Sequence, residues 1–274
     1  MWTRWPRHCA SAWQTHRMAS VRRPRGFFIT GTDTGVGKTV VACALAAWYR
    51  RHDLDVGVMK PVATGGARLG RGRTSRWLSD DARCLAACAG VDDPWSLVNP
   101  VCFREPLAPW TAALRARRSI ALRAVLEAFA ALRARHDVLI VEGIGGLLVP
   151  LTARVTVADL ARQLGLPLLL VARPGLGTLN HTLLSLDCAR GRSLLVAGIV
   201  INHAEPACRD AVTRVTHRTN IQILNRLAGV PVLGSLPFRR DDALSGRCSS
   251  AAAQQLSDWI EQHLDRQMLN RLRG

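Results

Sequence analysis

Short apolar runs alternate along the chain with longer stretches in which apolar residues recur at helical spacing. The runs at 27–30, 55–59, 137–141, 166–171, 194–201 and 230–233 have the length and β-branched character of strands buried on both faces. Between them, helical patterns are predicted over 38–51, 79–89, 119–132, 155–164, from 178 onward, over 206–227 and from 250 onward. Ser79 and Ser119 are expected as N-caps, and Leu122, Val125, Leu126, Phe129 and Leu132 mark one helix face. Strands alternating with helices predict an α/β fold, a mostly parallel sheet with helices on both faces. Residues 26–274 read as one such unit without internal repeats, with an irregular connection at 99–109 and a basic, mobile loop at 68–76.

The first strand runs into Gly31, Gly35 and Gly37, and Lys38-Thr39 then open the first helix. Strand, glycine loop and helix start make a P-loop, in which backbone N–H groups and the helix dipole cradle a triphosphate. Thr34, Gly35, Val36, Gly37 and Val40 form the cradle, Lys38 reaches the β- and γ-phosphates, and the Thr39 hydroxyl holds Mg²⁺. The spacing is a variant: the general pattern wants glycine where this chain has Thr32, and its glycine comes one place earlier, at Gly31. Further on, the apolar strand 137–141 ends in Glu142-Gly143-Ile144-Gly145, a Walker B arrangement that sets a carboxylate beside the metal. In a parallel sheet ligands sit beyond the carboxyl ends of the strands, which is also where Lys60 and Thr64 fall. Asp80 and Asp81 open a helix after Ser79, where from the residues alone the favoured reading is that the carboxylates complement the helix dipole.

Composition sharpens one residue. The chain has 274 residues, a formal charge of +17 and 37 basic residues, of which only Lys38 and Lys60 are lysine. A sequence that writes arginine almost everywhere keeps lysine where a compact ammonium is required, so Lys60 joins Lys38 as a catalytic candidate. The charge itself reads as bias over solvated faces rather than a nucleic-acid groove, because interleaved aromatics are lacking and there is a single tyrosine. No apolar run approaches the roughly 18 residues that would span a bilayer. Eight scattered cysteines without a C-x-x-C pair fit reduced thiols in the cytoplasm. Residues 1–25, rich in arginine and free of acids, read as a disordered arm, with Met18 as an alternative start.

The motifs GTDTGVGKT at 31–39, KPVATG at 60–65, SDDA at 79–82, NPVCF at 99–103, VEGIGG at 141–146, PGLGTLNH at 174–181 and the strand-end Asn202 together resemble the dethiobiotin synthetase family. The resemblance covers about residues 26–238 and includes the variant glycine spacing. It implies a P-loop NTPase-like fold and an ATP-dependent ligase of biotin synthesis. Diaminopelargonic acid takes up CO₂ on one amine, the carbamate attacks the γ-phosphate of ATP, and the second amine closes a ureido ring. By the same likeness Thr39, Asp81 and Glu142 hold Mg²⁺, with Asp81 favoured over Asp80 because it directly precedes Ala82. Lys38 and Lys60 neutralise the transferring group. Thr34, Thr64 and the Gly145 backbone meet the carbamate and amines. Gly177, Thr178 and Asn180 take the distant carboxylate across a homodimer interface. Asn202, His203, Pro237 and Phe238 receive the base, together with the Gly143–Gly145 stretch around the phosphates. Relatives often carry Asp where this chain has His203. A ParA/MinD-type ATPase switch shares the fold and is the alternative, but its signature lysine falls where this chain has Asp33. Neither nucleic acid nor membrane is expected as a partner.

Overall fold

In a computed structural model of the chain, residues 26–72, 75–206, 210–239, 248–265 and 269 are described. The arm expected over 1–25, with Met18, lies outside the described residues. The elements run β1 (Gly26–Gly31), α1 (Lys38–Arg51), β2 (Val56–Met59), β3 (Val62–Ala63), β4 (Ala67–Leu69), β5 (Arg76–Leu78), α2 (Asp80–Ala89), α3 (Trp95–Val98) and β6 (Val101–Cys102). There follow α4 (Pro109–Arg115), α5 (Leu122–Arg133), β7 (Val138–Glu142), α6 (Val157–Leu164), β8 (Leu168–Ala172), α7 (Thr178–Gly191), β9 (Val196–Asn202), α8 (Ala211–Leu227), β10 (Val232–Leu236) and α9 (Ser250–His263).

Six strands make one parallel sheet in the order β10-β9-β8-β1-β7-β2. Alternate residues of each strand feed opposite faces, as the pleat requires. Phe27 and Ile29 of β1 pack under α1, α2 and α9, whereas Phe28 joins the core beneath α4 to α8. The helix that begins at Lys38 is buried on every side, with Val41 to Ala46 all 0 % exposed, because α2 and α9 cover what the sheet leaves open. Its all-apolar sequence is therefore a consequence of position, since a helix apolar all round has no solvent face to offer.

Sheet order sets the site. The neighbours β1, β7 and β2 end side by side, with Ile29 opposite Glu142 and Val141 opposite Met59, so the loop after β1, the acid ending β7 and the lysine following β2 converge at one edge.

Three expectations change on contact with the structure. Ser119 caps nothing: α5 begins at Leu122, its N-cap is Ala121, and no side chain caps it. Ser79 does cap α2, accepting from the Ala82 N–H. The basic loop at 68–76 is partly ordered as an antiparallel pair, Ala67–Leu69 against Arg76–Leu78, while residues 73 and 74 lie outside the described set. Within the irregular stretch at 99–109, Val101–Cys102 pairs in parallel with Val62–Ala63, a long-range ladder of two residues that no local pattern announces.

A charged link ties the β2 edge to its neighbours. His136 donates from Nδ1 to Asp55 (2.8 Å) and from Nε2 to Asp93 (2.7 Å). Burial pulls this imidazole's pKa down, but the bonds to Asp55 and Asp93 outweigh it and the net shift is upward. A raised folded-state pKa gives stability that is fully present below the unfolded value of about 6.5 and is lost as pH rises through the folded value. The melting-temperature gap between wild type and His136→Gln is therefore expected to be wide near pH 5.5 and to shrink toward about pH 9. A gap that stays constant would show that His136 contributes by packing alone.

Candidate active site

Lys60 is 3 % exposed and its ammonium sits among three oxygens: Glu142 Oε1 at 2.6 Å, Asp81 Oδ2 at 2.8 Å and the Gly143 carbonyl at 3.2 Å. Thr39 donates from Oγ1 to the same Glu142 oxygen (2.8 Å) and lies 3.1 Å from Asp81 Oδ1. Residues far apart in sequence thus form one knot at the strand ends. Asp81, rather than Asp80, is the acid within it, because the first turn of α2 points Asp81 inward and leaves Asp80 exposed at the rim.

Burial lowers the pKa of Lys60, yet the charges of Glu142 and Asp81 outweigh it and hold the ammonium protonated. The two carboxylates diverge. Burial pushes Asp81 up, but Lys60 and Thr39 bring it below its ordinary range. Glu142, 1 % exposed and close to the Asp81 charge, is held above its ordinary range by burial despite Lys60. The contrast follows exposure, since the Asp81 side chain is 43 % exposed and that of Glu142 only 1 %, so Glu142 is the more fully desolvated of the two.

Asn99 holds this arrangement from behind. Fully buried, it donates from Nδ2 to the carbonyls of Lys60 (2.8 Å) and Val101 (3.2 Å), and its Oδ1 accepts from the N–H of Ser79 (3.2 Å), the cap of α2. One amide therefore fixes both the strand end that carries Lys60 and the helix start that carries Asp81. Within the sequence Asn99 is visible only as the first letter of a motif; its role depends on three segments meeting in space.

The glycine loop explains its own spacing. A Cβ on Gly31 would stand 3.0 Å from Lys38 Nζ and 2.7 Å from the Asp33 carbonyl, to which Lys38 donates (2.9 Å). The early glycine is thus the place where the lysine folds back over the loop. At Gly37, with φ +89°, a Cβ would fall 2.0 Å from Asn202 Nδ2. That amide donates to the Val36 carbonyl (3.0 Å), so Asn202 at the end of β9 braces the loop directly. Val36 turns its side chain into the core. Burial, and next the charge of Lys60, lower the Lys38 pKa to about 8.

Two cavities meet over this loop, both lined by Gly35, Gly37 and Val40. The larger, about 460 Å³, contains Lys38, Thr39, Lys60, Asp81 and Glu142 together with Thr34, Thr64, Ile144 and Gly145. The smaller, about 220 Å³, is walled by Asn202, His203, Pro237 and Phe238. His203 packs its ring edge-on against His217 and shares a hydrogen bond with Ser235 (3.1 Å); burial, then His217, lower its pKa. Gly177, Thr178 and Asn180 line neither cavity: Thr178 is buried at the start of α7, and Asn180 is exposed. Four lining residues had no signal in the sequence: Cys84 in the larger cavity, and Ala204, Arg239 and Trp259 in the smaller.

The donor set suits a hard divalent cation. Thr39, Asp81 and Glu142 offer oxygens only, and Glu142 Oε2 is buried with no hydrogen-bond partner among the described residues. An orphaned buried carboxylate oxygen is costly unless a cation meets it. Two carboxylates and a hydroxyl leave the remaining positions to water and phosphate, which is how Mg²⁺ is usually held.

Residues 25–242 match the family described as an AAA domain. The ATP-dependent dethiobiotin synthetase BioD of Anaeromyxobacter dehalogenans strain 2CP-C is 47 % identical over 207 residues, covering 73 % of this chain and 89 % of that one. The protein of the same name from Bacillus velezensis strain FZB42 is 35 % identical over 243 residues, covering 88 % and 94 %. The chain belongs to the dethiobiotin synthetase family. Its fold is shared more widely: MinD from Pyrococcus horikoshii, solved with Mg-ADP, superposes with a TM-score of 0.51 over 86 % of this chain and 95 % of that one, at 17 % identity. The MinC:MinD complex of Aquifex aeolicus gives 0.52 over 91 % and 96 %, at 13 % identity. At such identities these structures speak for the P-loop NTPase-like fold alone, and the switch-type alternative has nothing beyond the fold in its favour.

Proposed function

We infer that this chain is an ATP-dependent dethiobiotin synthetase, a ligase that forms carbon–nitrogen bonds from diaminopelargonic acid, CO₂ and ATP. The observation that carries the reading is that both lysines of the chain line one cavity with Thr39 and two carboxylates. Family membership supplies the substrates.

The γ-phosphate lies between Lys38 and Lys60, and the larger cavity also receives the carbamate beside the Thr34 and Thr64 hydroxyls and the Gly145 backbone. A carbamate oxygen attacks the γ-phosphorus, the bond to ADP breaks, and a carbamic–phosphoric anhydride results. The second amine then attacks the carbamate carbon, phosphate leaves with the attacking oxygen, and the ureido ring closes. Bringing two anions together is the main barrier, so catalysis rests on positioning and on cations placed beforehand. Lys60 is suited to this because Glu142, Asp81 and Gly143 fix its ammonium before substrate arrives. Thr39, Asp81 and Glu142 would hold Mg²⁺, which when bound neutralises phosphate charge.

The same reading makes the working form a homodimer. Gly177, Thr178 and Asn180 stand at the start of α7, a helix N-terminus that favours an anion, and they line neither of this chain's own cavities, so each would serve a partner's substrate. Family likeness puts the enzyme in the cytoplasm in this reading; separately, no helix among the described residues is long and apolar enough to cross a membrane.

Incubation with ATP, bicarbonate and diaminopelargonic acid is expected to yield dethiobiotin and ADP in equal amounts, read by mass spectrometry. ADP released at the same rate without the diamine, and no dethiobiotin, would contradict the assignment.

A further inference from the structure

We propose that Trp259, on the C-terminal helix α9, is a specificity-determining residue of the nucleotide site, stacking on the base in the smaller cavity. The proposal rests on the reading of that cavity as the base end of an ATP site, and deepens it.

The cavity's volume of about 220 Å³ falls below the ~300–1,000 Å³ of a whole small-molecule site and suits a single ring system. It adjoins the phosphate cavity through Gly35, Gly37 and Val40, so a nucleotide with its phosphates on the loop directs its base there. Its aromatic walls are Phe238 after β10 and Trp259 from α9. The indole is the largest aromatic group on this wall, and the part of it left open, 8 % of the residue, borders the cavity.

The helix that carries it is fastened at two points, one on α1 and one beside the cavity. Arg51, closing the P-loop helix, pairs with Asp258, the residue before Trp259. Arg239, next to Phe238, donates to the Gln255 carbonyl (3.1 Å) and to its Oε1 (2.8 Å), one turn earlier on α9. The Arg239 bonds set the segment of α9 that carries Trp259 against the segment that carries Phe238, the preorganisation that a stacking wall needs. Stacking is tolerant of base identity but scales with ring area, so this wall favours purines over pyrimidines.

The test is calorimetric binding of ATP, CTP and inorganic tripolyphosphate, with Mg²⁺, to the full chain and to Trp259→Leu and Trp259→Phe. Trp259→Leu is expected to weaken ATP about 10- to 100-fold, the loss for one base–aromatic stack, with CTP weakened less and tripolyphosphate unchanged. Trp259→Phe should fall between, and KM for ATP should rise with kcat kept. Equal losses for ATP and tripolyphosphate would mean that Trp259 only supports the fold, and undiminished ATP binding would mean that it touches no base; either overturns the proposal. In the unaltered protein, tryptophan emission should change with ATP and not with tripolyphosphate, and failure to see this also overturns it. Were the unaltered protein to bind tripolyphosphate and no nucleotide, the reading of the site itself would fall.

Discussion

Replacing Lys60 by arginine is expected to lower turnover by about a hundredfold or more, the loss seen when one preorganised transition-state donor is removed, while charge is conserved. The ammonium occupies a closed space between Glu142, Asp81 and the Gly143 carbonyl, with 3 % of the residue exposed. A guanidinium is planar, broader and cannot present a compact charge at the same point. It would pair with one carboxylate and displace the other, moving Asp81 or Glu142 off the Thr39 hydroxyl. ATP affinity should change much less, because Lys38 and the loop backbone are untouched. Steady-state kinetics of Lys60→Arg, with circular dichroism to confirm the fold, checks this; turnover within a few-fold of wild type would remove Lys60 from the mechanism.

Glu142→Gln separates stability from catalysis. Both hydrogen bonds at this side chain, from Lys60 and Thr39, end on Oε1, while Oε2 has no partner. A glutamine can keep its carbonyl at the first position and place its NH₂ at the second, so the melting temperature should move little. The variant loses an anionic oxygen ligand, and its Mg²⁺ requirement should rise by at least the 10–100-fold that changes around metal ligands cost, with turnover falling accordingly. Activity measured across a Mg²⁺ titration reads the effect. An unchanged Mg²⁺ dependence would place the ion elsewhere.

Much of this site could be read from the sequence because its chemistry stands at the ends of local patterns. Glu142 closes an apolar strand, Lys38 opens a helix after glycines, and Lys60 follows a strand in a chain that otherwise avoids lysine. Each position follows from a few neighbouring residues, and the parallel sheet brings strand ends together. From the residues alone Asp81 was one of two acids, and only the family likeness chose it, since the choice depends on the rotation of α2, which the Ser79 cap and its bond to the distant Asn99 fix. Trp259 lacked any local signal, and Asn99 stood only inside a motif with no role attached. A tryptophan at helical spacing with Leu256 and Ile260 looks like core, and it does pack in the core; only the docking of α9 on α1 brings it to the wall of a cavity. The pairing of Val101–Cys102 with Val62–Ala63, and the hairpin formed by Ala67–Leu69 and Arg76–Leu78, were hidden because strands of two or three residues carry too few positions to show a period. Ser119 misled for the opposite reason: it is a good cap in composition, but the chain enters α5 only after Ile120 has been buried.

The account stands on the carbamate attacking ATP inside the cavity that Lys38 and Lys60 share. Bicarbonate labelled with ¹⁸O, supplied with ATP and diaminopelargonic acid and sampled in the first turnovers, tests that step by itself. Phosphate carrying one labelled oxygen from the carbamate is the predicted product; phosphate whose new oxygen comes from water would mean that the enzyme hydrolyses ATP without activating a carbamate.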